Sequence, residues 1–480
     1  MIIGRKKEIA TLQGLLTADE SQFVAVYGRR RVGKTFLIRE AYNYDFVFQH
    51  TGTYGATRQQ QLSDFRESLY NAGMGKCAMP KTWSDAFNLL WDFLKQMPVD
   101  GKKKVIFIDE LPWMDTPKSN FVRSLDHFWN AWATTRKDII LVVCGSATSW
   151  IIDNVIMNYG GLHNRLTCKV HLQPFCLREC RQYCEAKNLG YKDRQVLEAY
   201  MALGGIPYYW SFLKKGQSVA QNFDRMFFQQ GGELAEEFNA LYASLFKQPK
   251  RHIAIITALA RKKSGLLREE LLKATHLSDN ADFSKALLEL EQCGFIRKYT
   301  TIGKKSKDAI YQLIDNYTLF YFDFIRENVN GDEHFWTSQT GTSIHTGWAG
   351  RAFERVCMQH VNQIKDALGF SAVVSSVHSW SYKGEKDHVS RKNIHKGAQI
   401  DLLIDRNDDT INLCEIKYTN STYTITEEED ERIRNRKEVF IRETETKKTV
   451  LLTMITAFGL TPGGYADDIH CQLTMADLFR

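Results

Sequence analysis

The sequence has no apolar run of membrane-spanning length. The longest, around Ile139 to Cys144, is as long as one strand, whereas a spanning helix needs about 20 apolar residues. No helical span and no membrane partner are therefore expected. CxxC pairs are also missing. The ten cysteines are scattered, a pattern of free thiols in a reducing compartment rather than of a disulfide framework. Proline is scarce, with 8 in 480 residues, and there is no low-complexity tract, which sets the chain apart from fibrous and disordered compositions. The first residues, Met1 to Glu8, carry charge where a signal peptide has its apolar stretch, so the expected location is the cytoplasm.

What is present is an ordinary globular composition: 44% hydrophobic, 25% charged, net charge +7. That charge permits a nucleic-acid partner without requiring one. Local basic clumps such as Lys102-Lys103-Lys104 and Arg261-Lys262-Lys263 read one by one as solvated surface. A chain of 480 residues exceeds one hydrophobic core, so two to four domains are expected. Cys176, Cys180 and Cys184 recur every four residues with His171 upstream. They share a helix face, which reads as buried core or as a metal site, the spacing matching no zinc pattern.

The first third alternates short apolar strands with helical stretches. Phe23–Tyr27, Val105–Ile108 and Ile139–Val143 are near-continuous apolar runs, the habit of parallel strands covered on both faces. This part reads as α/β. Gly28-Arg29-Arg30-Arg31-Val32-Gly33-Lys34-Thr35 matches GxxxxGK[ST] and lies between a strand and a helical pattern, the setting the motif requires. Its backbone N–H groups, at Gly28, Arg31, Val32 and Gly33, can curl around phosphates at a helix N-terminus. Lys34 would bridge the β- and γ-phosphates of ATP and Thr35 would ligate Mg2+. The second strand ends in Asp109-Glu110. Asp109 can reach the magnesium shell and Glu110 can polarise the attacking water, which makes ATP hydrolysis the expected reaction.

Downstream, residues 172–246 look mostly helical. A stripe at Ile253, Ile256 and Leu259 follows, then a second apolar helix with Leu266, Leu267, Leu271 and Leu272, and a third with Phe283, Ala286, Leu287 and Leu290. With the strands at 295–299 and 309–313 and a basic tip at Gly303–Lys307, the pattern is a winged helix-turn-helix. Its third helix, around Ser284–Leu290, would enter a major groove and the tip would meet phosphates, or the unit packs internally. Residues 328–347 are rich in Gly, Asn, Ser and Thr and read as a linker.

The C-terminal part reads as a second α/β domain. Gln399–Ile404 and Ile411–Lys417 form a hairpin that brings Asp401 close to Glu415. Glu415 and Lys417 are two apart and leave one face of the strand. Two carboxylates and an ammonium on one face can hold Mg2+ and position water against a phosphodiester.

These motifs carry two resemblances. With Gly4-Arg5-x-x-Glu8, the P-loop, Asp109-Glu110 and Cys144-Gly145-Ser146, the segment from Met1 to about Trp210 resembles archaeal-type AAA+ ATPases near the origin-recognition and STAND branches. The resemblance implies that Gly4 and Arg5 lie against the adenine and that Ser146 senses the γ-phosphate. It also implies that Arg165, in Gly161–Leu166, stabilises transition-state charge in its own site or across a subunit boundary of a homo-oligomer. The Asp401, Glu415 and Lys417 spacing, with Glu354 on the preceding helix, resembles the PD-(D/E)xK nucleases, which implies that Glu354, Asp401 and Glu415 hold the metal.

The expected organisation is a P-loop AAA+ parallel-sheet core (1–170), a helical lid (171–246), a winged helix (247–327), a linker (328–347) and an α/β restriction-endonuclease-like domain (348–480). The expected function couples ATP state to DNA binding, RNA not being set aside, and to metal-dependent phosphodiester cleavage. The alternative is a STAND-like ATP-dependent switch whose last domain only binds.

Overall fold

The computed structural model describes residues 2–480 apart from 99, 158–161, 163, 247, 301–308, 329, 383, 387–392 and 396. The basic tip at 303–307, and Gly161 and His163 of the arginine segment, lie outside the described residues.

The apolar runs form the centre of a parallel sheet, as their two-sided hydrophobicity predicts. After α1 (Lys6–Gly14), β1 (Gln22–Tyr27) runs into α2 (Lys34–Ala41), followed by β2 (Phe48–Thr51), α3 (Arg58–Leu69) and α4 (Trp83–Lys95). Then come β3 (Lys104–Asp109), α5 (Leu111–Met114), α6 (Phe121–Ala131), β4 (Ile139–Gly145), α7 (Thr148–Ile151) and β5 (Cys168–His171). The strand order is β2-β3-β4-β1-β5, all parallel. Alternate residues serve opposite faces. Val24, Val26, Val105, Phe107, Ile140 and Val142 pack under α1 and α2. Phe23, Ala25, Ile106, Ile108, Leu141 and Val143 pack under α3, α4 and α6. The sequence pattern missed the two edge strands, because β2 and β5 are four residues of mixed polarity.

The next stretch is helical: α8 (Leu177–Ala186), α9 (Asp193–Leu203), α10 (Pro207–Trp210), α11 (Val219–Phe223), α12 (Glu237–Leu245) and α13 (Pro249–Arg261). It leads to β6 (Leu266–Leu267), α14 (Arg268–Thr275), α15 (Ala281–Gln292), β7 (Ile296–Tyr299) and β8 (Ile310–Leu313). Leu266 and Leu267, expected in a helix, are instead a short strand paired with Tyr311 and Ile310 in the antiparallel order β6-β8-β7. The helix begins only at Arg268, where the Glu270 carboxylate accepts from the Leu267 N–H and closes its first turn. On α15, Phe283, Ala286, Leu287 and Leu290 are buried and the helix packs against α7 of the nucleotide domain.

The expected linker at 328–347 is packed structure. After α16 (Asn316–Phe320), the chain forms α17 (Phe335–Gln339), and α18 (Ser343–Gln359) begins inside that segment. Trp336 is fully buried against Phe223, Phe320, Phe324 and Trp348. The Asp224 carboxylate accepts from the N–H groups of Trp336 and Thr337. Polar composition suggested a loop; one tryptophan and one distant carboxylate order it.

The last part places α18 and α19 (Val361–Ala367) on one face of a five-stranded sheet. Its strands are β9 (Ser375–Tyr382), β12 (Ala398–Arg406), β13 (Thr410–Lys417), β14 (Thr449–Thr456) and β15 (Cys471–Thr474), with the small ladder β10 (Glu385–Lys386) and β11 (Asn393–His395) set apart. The order is β15-β14-β13-β12-β9: β9, β12 and β13 are antiparallel neighbours, and β13, β14 and β15 are parallel. Helix α20 (Glu427–Thr444) crosses between β13 and β14. Leu402, Ile404, Cys414 and Ile416 join the core shared with the helical region, so this sheet packs onto the rest of the chain. No helix among the described residues is long and apolar enough to cross a membrane.

Candidate functional site

The nucleotide loop is built where β1 ends. Gly28 has φ 140° and Gly33 φ 89°, conformations that disfavour a side chain, and a Cβ on Gly28 would collide with the Leu172 carbonyl. Val32 is buried in the core and anchors the loop. Lys34 Nζ donates to the carbonyls of Gly28 and Arg29, both at 2.9 Å, so the ammonium lies within the loop's own curl. Thr35 Oγ1 donates to Asp109 Oδ2 at 2.7 Å. A hydroxyl and a carboxylate so placed at the start of a helix are hard oxygen donors of the kind Mg2+ takes, and the residues fit a nucleotide-bound cation.

Glu110 follows in the left-handed region, φ 50°, which costs backbone strain and turns its side chain away from the strand. Its carboxylate accepts from the Ser146 N–H at 3.0 Å and the Ser146 hydroxyl at 2.8 Å. The parallel register Ile108↔Val143 brings these two strand ends side by side. Burial raises the Glu110 carboxyl above its usual range, against the opposing effect of the Ser146 bonds.

Two further P-loop residues reach far along the chain. Arg29 is buried, pairs with Asp315 and stacks on Phe295 at 4.6 Å. Arg31 pairs with Glu237 and stacks on Tyr208 at 4.2 Å. Asp315, Glu237 and Tyr208 were invisible to motif reading, since no local spacing links them to the loop.

Gly4 and Arg5 are engaged in packing. Arg5 is buried, lies 4.7 Å over the Phe175 ring and donates to the Gln173 carbonyl at 2.6 Å. Glu179 of α8 closes over both residues. Arg165 is exposed and its N–H donates to the Leu162 carbonyl at 3.1 Å. Cys180 and Cys184 are buried, and burial pushes the Cys184 thiol up to about 12.

The second constellation comes together across α18, β12 and β13. The register Leu402↔Cys414 sets Asp401 beside Glu415, and a bulge between Ile400 and Leu403 in the β9 pairing re-aims the strand at Asp401. The Glu354 carboxyl is pushed up to about 7, by burial first and then by the charges of Asp401 and Glu415. Lys417 Nζ lies 3.2 Å from Glu415 and 2.6 Å from Glu429. Glu415 Oε2 accepts from Arg436 Nη1, and Asp401 Oδ1 accepts from Gln399 at 2.7 Å.

The donor chemistry therefore suits a hard divalent cation, but the positions do not. Among the described residues no three His, Cys, Asp or Glu side chains are disposed to hold a metal ion. The expected ligand set of Glu354, Asp401 and Glu415 shares one locality without converging, because Arg436 and Lys417 take both Glu415 oxygens. Arg436 and Glu429 escaped sequence reading; both lie on α20, which no local spacing links to the hairpin that carries Asp401 and Glu415.

Residues 2–213 match the model of an ATPase domain found predominantly in Archaea. An uncharacterized protein of Methanocaldococcus jannaschii is 24% identical over 403 residues, covering 80% of this chain and 83% of that one. Among solved structures, a Walker-type ATPase of Pyrococcus abyssi is similar over 68% of this chain and 96% of its own, at 17% identity and a TM-score of 0.48. The ORC2 protein of Aeropyrum pernix, solved in ADPNP and ADP complexes, is similar over 71% of this chain and 96% of its own, at 13% identity and a TM-score of 0.42. With an ATPase domain over residues 2–213 and a formed P-loop within it, the chain is an ATPase.

Proposed function

We propose that this ATPase couples its nucleotide state to metal-dependent cleavage of nucleic-acid phosphodiesters. Backbone N–H groups from Gly28 to Gly33 and the N-terminus of α2 bind the ATP phosphates, Lys34 leaves the loop carbonyls for the β- and γ-phosphates, and Glu110 orients the attacking water. A divalent cation held by Thr35 and Asp109 would supply charge neutralisation on the phosphate under attack.

The observation that carries the second activity is that Glu354, Asp401, Glu415 and Lys417, from three separate elements, share one locality. The Glu354 carboxyl is pushed up to about 7 there, by burial first and then by the charges of Asp401 and Glu415. Such a group exchanges protons near neutral pH, and Lys417 presents its ammonium on the same strand face as Glu415. Wild type incubated with Mg2+ or Mn2+ should cut single- or double-stranded DNA or RNA, and Lys417→Ala should not. Failure of wild type to cut any of these substrates would remove cleavage from the reading.

The regulatory-switch reading is favoured by a separate observation. The winged-helix-like unit has its third helix, α15, packed on α7, and Ser284 on its exposed side is engaged by Arg268 at 2.9 Å. Such a unit reports nucleotide state internally. Stimulation of ATPase turnover by DNA supports the first reading; an indifferent turnover supports the second.

A further inference from the structure

Arg31 stands in the nucleotide loop with φ 70°, in the left-handed region that glycine takes freely and an arginine takes at a cost. Its side chain leaves the loop for the helical region. The guanidinium pairs with Glu237, the first residue of α12, and lies 4.2 Å over the ring of Tyr208 in α10. Glu237 is in turn held from behind. It is buried, and its Oε1 accepts from the Tyr209 hydroxyl at 2.9 Å. The Tyr209 ring packs 5.2 Å from that of Tyr317, whose hydroxyl donates to the Leu234 carbonyl just ahead of α12 at 3.0 Å. Burial raises the Glu237 carboxyl, and the Arg31 charge is the largest influence opposing that rise.

We propose that Glu237 is a positioning residue for nucleotide binding: acting through Arg31, it holds the loop in its phosphate-binding shape. The backbone angles at Arg31 aim its own N–H and that of Val32, two of the groups that curl around the phosphates. An arginine without support drifts from the left-handed region to a favoured one and carries those N–H groups off their aim. Strained residues persist where the surroundings over-determine them, and here the surroundings are a buried carboxylate and an aromatic face. Nucleotide affinity therefore depends on α12 being docked against the loop. The dependence is reciprocal, so a bound nucleotide strengthens that docking by the same factor. The helical region thus responds to the nucleotide through one ion pair.

The test is ADP binding to the full-length protein by titration calorimetry, with ATP turnover measured alongside. Glu237→Gln keeps the side chain's size and its bond from Tyr209 but removes the charge that holds Arg31. It should weaken ADP binding about tenfold, the equilibrium cost of a left-handed arginine left without support. The loss should appear in KM for ATP rather than in kcat. In an Arg31→Gly background the same Glu237→Gln change should shift ADP binding by less than about twofold, since glycine stays left-handed without support. An equal loss in both backgrounds would place the effect in the fold at large and overturn the proposal, as would wild-type ADP affinity in Glu237→Gln. Should Glu237→Gln fail to fold, Tyr208→Leu, at a half-exposed position, carries the same comparison. It should weaken ADP binding about threefold, the worth of an exposed cation–π contact, and change nothing further in the Arg31→Gly background. A Tyr208→Leu affinity equal to wild type would then overturn the proposal.

Discussion

Arg29, inside the nucleotide loop, forms a buried ion pair with Asp315, 286 residues further along the chain. Burial opposes the Arg29 charge, and the facing Asp315 more than compensates, so the guanidinium is held charged. Asp315 Oδ2 also accepts from the Thr318 N–H at the start of α16. The next residue, Asn316, donates to the Tyr200 carbonyl at 3.0 Å and to Gln359 of α18 at 3.3 Å. The loop that meets ATP and the helix that carries Glu354 are thus separated by two consecutive residues.

Asp315→Asn leaves Arg29 buried without a counter-charge, and breaking such a pair costs about 3–5 kcal/mol. The loss should appear in urea unfolding, and combining it with Arg29→Met should recover most of it. If the single variant proves as stable as wild type, the pair is not the support described.

Ser146 holds Glu110 by two hydrogen bonds, only one of which uses its side chain. Ser146→Ala should lower kcat for ATP roughly tenfold to a hundredfold, the worth of a hydrogen bond to a charged group, with nucleotide affinity unchanged. Glu110→Gln should abolish turnover and still bind ATP. Weakened binding in either variant would show that these groups hold the nucleotide rather than the water.

Glu354 should make stability depend on pH. Its carboxyl rises from 4.5 to about 7 in the folded protein, so the folded state binds the proton more tightly than the unfolded chain. The contribution is complete below pH 4.5 and lost as pH rises through about 7. Relative to Glu354→Gln, wild type should lose roughly 3 kcal/mol across that window at most, at about 1.4 kcal/mol per unit. Urea unfolding of the two proteins at each end of the window measures it, and parallel pH curves would contradict it.

His360 works in the opposite direction. It is buried, accepts from the Leu177 N–H at 3.0 Å through Nε2 and donates from Nδ1 to the Val356 carbonyl at 2.8 Å. It therefore ties the start of α8 to the end of α18 as a neutral ring. Burial lowers it from 6.5 to about 4, outweighing the opposing Val356 bond. Here the unfolded chain takes the proton first, so stability falls as pH drops from 6.5 towards 4, by roughly 3 kcal/mol at most. His360→Gln should flatten that decline in an acid unfolding series; an unchanged slope would rule out the ring as its source.

The nucleotide site was legible in sequence because its chemistry is local. A strand, a glycine-bounded loop and a helix start occupy consecutive residues, and Asp109-Glu110 ends a run whose burial its apolarity announces. The α/β class followed from the same runs, and the acid cluster was legible in part, since Glu415 and Lys417 share a face by strand periodicity alone. What depended on tertiary structure is the company these residues keep. Arg436 binding Glu415, Asp315 binding Arg29, Arg5 stacking on Phe175 and Trp336 ordering the expected linker are all pairings between distant elements. Periodicity reports which face of an element is buried, and only the packing of one element against another decides which charge that face meets.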